Sequence, residues 1–454
     1  MRKTGKTRKA GEQARRAVWV IAAGAALSAA GTAAIAGGLA VREQSAQFQG
    51  LSFAGSGAGG GLSSSFWNSA AISEAGSGLQ SDSTFSLIIP QTSVTTQSMP
   101  VTTTGASPVG ESVDSGRLTA LTSGYYAYRL SSTLVAGVAV NAPFGAANEF
   151  EDANWAGQTH GRGAKIFSLN VNPMLSYNVL PNLAVAVGLQ AQYAKITFKA
   201  NPNGLPSQSS QGFEVDDVGF GGTAGILWTP MTGTTIGLGY RSAISHSFEG
   251  DLFKVGDNVT VPGPASFPFT GTGVKADITL PETVNLSLRQ TLTNTSRLLA
   301  SVEWTNWSRL QTVDFFATST GGAPAIGGGI VPGQKVAVFD FNWGDGYMFA
   351  LGGEYDYSPN LTLRAGAAYE ISPIRTAEQR FTLITDSDRV WLSGGFNYKV
   401  TQNTSVDFGY SHVFFDDAPI NRARTTAPTG AAIPFVGMVE QSADILALGV
   451  KTKW

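Results

Sequence analysis

The sequence predicts an all-β fold, a 14-stranded antiparallel transmembrane β-barrel. Three observations carry this. Gly is high at 55 residues, charged residues are low at 14%, and mean hydropathy is balanced at +0.03. Runs of alternating polarity recur from about residue 80 to the C-terminus. The connections between those runs alternate between short and long. A wall with lipid on one side and a polar interior on the other produces this combination.

At the front, residues 1–36 read as a secretory signal. Seven cations (Arg2, Lys3, Lys6, Arg8, Lys9, Arg15 and Arg16) precede an apolar run ending in Ala34-Ile35-Ala36, an A-x-A cleavage site. A retained membrane anchor is the alternative. Without the leader's cations the chain is acidic, which disfavours nucleic acid as a partner. Cys is 0 and His is 3, so disulfides and thiolate sites are excluded. No metal and no cofactor are expected.

Six short turns use Pro, Asn, Gly or Ser. They are RLSST at 129–133, VLPNL at 179–183, TPMTGT at 229–234, TLTNTS at 291–296, YSPNL at 357–361 and KVTQNT at 399–404. Seven longer polar stretches fall near 101–117, 145–163, 200–213, 249–275, 317–345, 372–389 and 416–441. Thirteen connections make fourteen strands.

Along each run, apolar residues occupy one parity. Ile236, Leu238 and Tyr240 oppose Thr235, Gly237, Gly239 and Arg241. Val284, Leu286 and Leu288 oppose Asn285, Ser287 and Arg289. The apolar set must face lipid, where an unpaired charge costs about 2–4 kcal/mol at mid-depth. Arg241, Arg289, Glu303, Glu354, Arg364, Asp407 and Lys451 therefore point into the lumen. Opposite signs on neighbouring strands would pair there. A carboxylate-bearing ligand needs one cation left unpaired beside an apolar pocket. Trp304, Trp307, Tyr355, Tyr357, Trp391 and Tyr398 are expected in interfacial girdles. A soluble β-sandwich does not explain the alternating connections.

Hydrolysis would need a nucleophile with a His base. His160, His246 and His412 are the candidates, and no GxSxG elbow is present, so the chain is not read as an enzyme. For an apolar ligand, Phe248, Leu252, Phe253 and Phe267 could line a groove, because burial contributes about 0.8 kcal/mol per CH₂. Loop self-packing is the alternative for these four.

Several stretches carry a family resemblance. They are REQSAQFQGLSFAGSGA, SSSFWNSAA, YYAYRL, VNAPFG, GLGYRSAISHSFEGD, LPETVNLSL, VEWTNWSR, LRAGAAYEISPI, DRVWLSGGFNY, FGYSHVFFDD and ADILALGVKTKW. In this order and spacing the chain resembles the outer-membrane long-chain fatty acid transporters, the FadL-type family that includes aromatic hydrocarbon porins. The resemblance implies a hatch, or plug, at residues 37–80 within a barrel at 81–454. The family's Asn-Pro-Ala hatch motif matches Asn68, Ser69 and Ala70, with Ser in place of Pro. Ser relaxes the fixed φ and restores a donor. The hatch turn would then be looser, or held by the Ser69 hydroxyl.

The resemblance also implies a kinked third strand beside a lateral opening. Here VAGVAVNAPFGAAN holds Pro143 and Gly145, residues that suit a break in a ladder. The plain alternative is that Pro143 ends the strand. The implied function is passive uptake of hydrophobic compounds, long-chain fatty acids first, by binding, hatch movement and lateral release. Aromatic hydrocarbon transport and a general porin for polar solutes are the alternatives. Hydrophobic small molecules and outer-membrane lipid are the expected partners of a monomer in a Gram-negative outer membrane.

Overall fold

The computed structural model describes residues 37–99, 109–152, 155–201, 210–255, 272–320, 331–425 and 432–454. The predicted leader and Phe267 lie outside them.

These residues form fourteen barrel strands. They are β1 (Leu79–Ser98), β2 (Ser112–Asp114 and Thr119–Arg129), β3 (Leu134–Asn141 and Gly145–Glu149), β4 (Gly163–Leu180) and β5 (Leu183–Ala200). Next come β6 (Ser210–Met231), β7 (Thr234–Arg241 and Ile244–Val255), β8 (Gly273–Leu280 and Thr283–Thr291) and β9 (Ser296–Thr305 and Thr312–Ala317). The last are β10 (Lys335–Asp340 and Gly346–Ser358), β11 (Leu361–Ile371), β12 (Arg389–Lys399), β13 (Thr404–Phe415 and Ala418–Thr425) and β14 (Ala432–Lys453). Each pairs antiparallel with its sequence neighbours. The ring closes between β1 and β14, from Gln80 opposite Lys453 upward. All six predicted turns join strands at one end, and the seven predicted long stretches connect them at the other. Among the described residues no helix is long and apolar enough to cross a membrane.

The alternation sorts residues as expected. Leu238, Leu286, Val302, Phe349, Tyr369, Val390 and Phe414 are partners in turn across seven adjacent strands. All seven are exposed, forming part of an apolar outer belt. Of the residues expected in girdles, Tyr355, Tyr357 and Tyr398 are exposed, whereas Trp307 and Trp391 are each 1% exposed and cannot face lipid. Trp391 sits between outward Val390 and Leu392, so parity turns it inward, where its Nε1 donates to Glu370 at 3.0 Å. Trp307 lies in a 3₁₀ turn (Trp307–Arg309) that leaves the strand, and it packs under Trp343.

Residues 37–78 precede β1 and are almost wholly buried. A one-turn helix, α1 (Ala46–Gln49), starts at Ser45, whose hydroxyl accepts from the Phe48 amide. Two 3₁₀ turns follow, Leu62–Phe66 and Ser69–Glu74. This segment bonds to inward residues around the ring. Gln49 donates to Ser411, Gly57 to Ser287 and Ser56 to Ser301, while Ser52 meets Ser393. The approach needs small wall residues. A Cβ at Gly239 would collide with the Trp67 and Asn68 main chain.

Candidate functional site

Asn68 ties the N-terminal segment to the wall. It caps the Ser69–Glu74 turn, its Oδ1 accepting from the Ala70 amide at 3.0 Å. Its Nδ2 donates to the Gly57 carbonyl at 2.8 Å and to the Ile226 carbonyl in β6 at 2.9 Å. Ser69 does not hold the turn: its hydroxyl is buried and has no hydrogen-bond partner. Ala70 packs with Ala184, Ala186 and Leu227.

The predicted lumen charges all face inward. Arg364 pairs with Glu354 at 2.9 Å and with Asp407, and Lys451 reaches Asp407 at 2.9 Å. Arg289 meets Glu74 of the N-terminal segment at 2.7 Å. Glu303 pairs with Arg42, which also meets Glu370 at 2.9 Å. Arg389 and Asp386 extend this group, and Asp386 accepts from the Gly38 amide at 2.8 Å. Arg42 was not singled out in the sequence, because its partners lie hundreds of residues away.

Beside Arg42 is Glu43, buried, with its Oε2 unpartnered. Burial pushes this carboxyl up to about 7, with Glu370 adding to the shift and Arg42 opposing it.

Arg241 differs from the other lumen charges. It is buried, and among the described residues no carboxylate lies within ion-pair distance of it. Its guanidinium donates to the Phe66 carbonyl at 3.2 Å and to Gln190 Oε1 at 2.5 Å, and it lies 4.7 Å from the Phe66 ring centroid. It lines a cavity of about 30 Å³ with Val41, Phe66, Trp67, Pro143, Phe144 and Thr283, room for roughly one water.

Above that cavity an apolar cluster rises toward the long-loop end. Phe144 meets Trp307 edge-on, Trp307 meets Trp343, and Trp343 meets Phe341. Phe341 reaches Phe339 and Phe381, and Phe339 contacts Phe198, Phe213 and Phe315. Phe248 is buried in this cluster and Leu252 packs against it. Phe253 does not join them, since alternation along β7 sends it to the opposite face. The other aromatics come from strand ends and loops far apart in sequence, so no single stretch announced the cluster.

The β2–β3 ladder is interrupted. Pairing runs from Arg129/Val135 to Gly124/Val140 and then stops. The strands meet again only at a bridge between Gly116 and Asn148. Pro143 sits in the break of β3, and Gly145 begins its second part. The N-terminal segment occupies the missing place. Val41 N donates to the Pro143 carbonyl, Gly145 N to the Leu39 carbonyl, each at 2.9 Å, and Ala40 bridges Phe144. Gln44 Nε2 donates to the Ala142 carbonyl at 2.8 Å, while Ser123 and Tyr125 of β2 donate to the Gln44 carbonyl.

Residues 27–454 match a family model described as outer membrane protein transport protein (OMPP1/FadL/TodX). The long-chain fatty acid transport protein of Escherichia coli O6:H1 is 27% identical over 306 residues, 61% of this chain and 65% of that protein. Outer membrane protein P1 of Haemophilus influenzae is 27% identical over 319 residues, 64% of each. The chain thus spans just under two thirds of the length of these relatives. A crystal structure of a Pseudomonas aeruginosa FadL homologue superposes with a TM-score of 0.77 at 19% identity, covering 92% of this chain and all of the other. The toluene transporter TodX of P. putida gives 0.65 at 14%, covering 90% and 98%. At these identities the likeness of the structures concerns the fold.

Proposed function

Because this chain belongs to the outer membrane protein transport protein family (OMPP1/FadL/TodX), we propose that it carries long-chain fatty acids passively across the outer membrane. The family is one of outer-membrane transport proteins rather than enzymes, and this chain is an outer-membrane β-barrel of a Gram-negative cell. In our reading the ligand enters through the aromatic cluster, residues 37–78 act as a hatch, and the β2–β3 interruption is the way out.

One observation favours a fatty acid over a hydrocarbon. Among the described residues Arg241 is a buried cation with no carboxylate within ion-pair distance, next to Phe66, Trp67 and Phe144. A ligand carboxylate would complete it with charge-assisted hydrogen bonds, while its chain would lie along the aromatic cluster. A hydrocarbon such as toluene offers the guanidinium a ring face but no hydrogen-bond acceptor. Solved relatives are named for toluene transport, so both ligand classes belong in the test.

Lateral release avoids placing an apolar chain in periplasmic water. The lower lumen also favours it, since among the described residues many buried Ser, Asn, Gln and charged groups occupy it. The same filling disfavours a general porin for polar solutes.

The test is binding of stearic acid and of toluene to the detergent-purified chain, with Arg241→Met beside it. We expect stearic acid to bind and the substitution to weaken it about tenfold or more. Tight toluene binding, with stearic acid unaffected by the substitution, would replace the fatty acid reading with the hydrocarbon one.

A further inference from the structure

Next to Arg241, three buried amides form one row. Asn141 of β3 is paired directly with Asn170 of β4, and Asn170 directly with Gln192 of β5. All three side chains face inward and are buried. Asn170 Nδ2 donates to Asn141 Oδ1 at 3.2 Å. Gln192 Oε1 lies 3.1 Å from His246 Nε2, and His246 Nδ1 lies 3.1 Å from Asp217 Oδ2. Gly219, opposite Gln192 in β6, leaves the space through which the imidazole reaches.

The row is incomplete in a specific way. Asn141 Nδ2, Asn170 Oδ1 and Gln192 Nε2 are buried and have no hydrogen-bond partner. Leaving such groups unsatisfied is costly. Directly paired inward residues have Cβ atoms about 5 Å apart. One ligand atom can therefore reach both Asn170 and Gln192.

The unfilled set holds donors and an acceptor side by side. Amide oxygens and nitrogens can be exchanged by rotating the side chains. If His246 donates from Nδ1 to Asp217 and Gln192 turns its nitrogen to His246, the exchange passes along the row. Gln192 then presents an acceptor and Asn170 a donor. In either arrangement the guest must both donate and accept. A hydroxyl does so. A carboxylate, which only accepts, meets an acceptor in both arrangements, and a bare methylene satisfies neither group.

Gln190, the partner of Arg241, lies two residues before Gln192 on the same strand, about 6.6 Å away. The guanidinium and the amide row therefore face the lumen at neighbouring levels. The row is closed to solvent here, and Asn141 directly precedes Ala142–Gly145, to which residues 39–44 are bonded. Filling it requires that segment to move aside.

We propose that Asn141, Asn170 and Gln192 form a subsite for a hydroxyl on the ligand's chain, several carbons from the carboxylate held by Arg241. The favoured ligands are then hydroxylated fatty acids. This rests on the fatty acid reading above.

The experiment measures binding of 6-hydroxystearic, 6-methoxystearic and stearic acids to the full detergent-purified protein, by quenching of intrinsic tryptophan fluorescence. The hydroxy acid should bind about tenfold more tightly than stearic acid, one good hydrogen bond's worth. The methoxy acid, which cannot donate, should fall near stearic acid. Asn170→Leu and Gln192→Met, with folding checked by heat-modifiable gel mobility, should bring the hydroxy-to-stearic ratio toward one. Equal binding of all three acids by the native protein overturns the subsite and leaves the fatty acid reading standing. A preference that survives both substitutions also overturns it. If none of the three acids binds, the fatty acid reading falls and the subsite with it.

Discussion

Asn68 donates through Nδ2 to the main-chain carbonyl of Ile226, 2.9 Å away. One side chain of the N-terminal segment thereby holds a wall strand, its own turn and the Gly57 carbonyl together. Asn68→Ala removes all three bonds and leaves buried groups unpaired, a loss of about 2 kcal/mol or more. We predict faster amide hydrogen exchange across residues 57–75 and higher ion conductance in a planar bilayer. Unchanged values for both would show that Asn68 is not the fastener.

Ser69→Pro should act in the opposite direction. Ser69 opens the 3₁₀ turn, its hydroxyl is unpartnered and its amide makes no hydrogen bond among those described. Pro at this position loses nothing and restricts the unfolded chain. We expect about 1 kcal/mol of added stability, read as a higher temperature for loss of heat-modifiable gel mobility. A lower temperature would mean that the Ser69 backbone does not suit Pro.

Glu43 gives the segment a pH dependence. Its carboxyl lies near 7 in the folded chain, against about 4.5 for the unperturbed group. The folded state therefore binds the proton more tightly than the unfolded state. Stability from neutral Glu43 is fully present below about 4.5 and is lost as pH rises through 7. Exchange at residues 39–45 should be slower at pH 5 than at pH 8 once corrected for intrinsic rates. Glu43→Gln should flatten the difference; if it persists in that variant, another group is responsible.

Sealing the β2–β3 interruption should slow uptake. The chain has no native cysteine, so Thr122→Cys and Ala142→Cys can be joined by a short bis-methanethiosulfonate. Labelled fatty acid uptake by cells is compared before and after reduction. Equal rates with a verified bridge would place the exit elsewhere.

Much of the wall was legible because alternation is a local signal. The parity that put Leu238 outward also put Arg241 inward, and turn chemistry located every hairpin. The girdle expectation failed for Trp391, which parity turns inward between Val390 and Leu392, because aromatic character alone does not choose a face. The charge signs of the lumen were readable, but their partners were not. Nothing near Arg364 in sequence shows that it is matched, and nothing near Arg241 shows that it is not. The row from Asn141 to Gln192 was hidden for the same reason. Asn and Gln in a strand are unremarkable until the register places three abreast.

The interrupted ladder has a further consequence. Along the break, β3 takes its main-chain bonds from Leu39 and Val41 instead of from β2. Withdrawal of those residues, as the proposed mechanism requires, would leave an edge of unpaired amides and carbonyls in the barrel wall, and each such group is costly away from water. Opening therefore raises its own restoring force. In the proposed mechanism, re-pairing of β3 with Leu39 and Val41 would restore the closed arrangement once a ligand has passed.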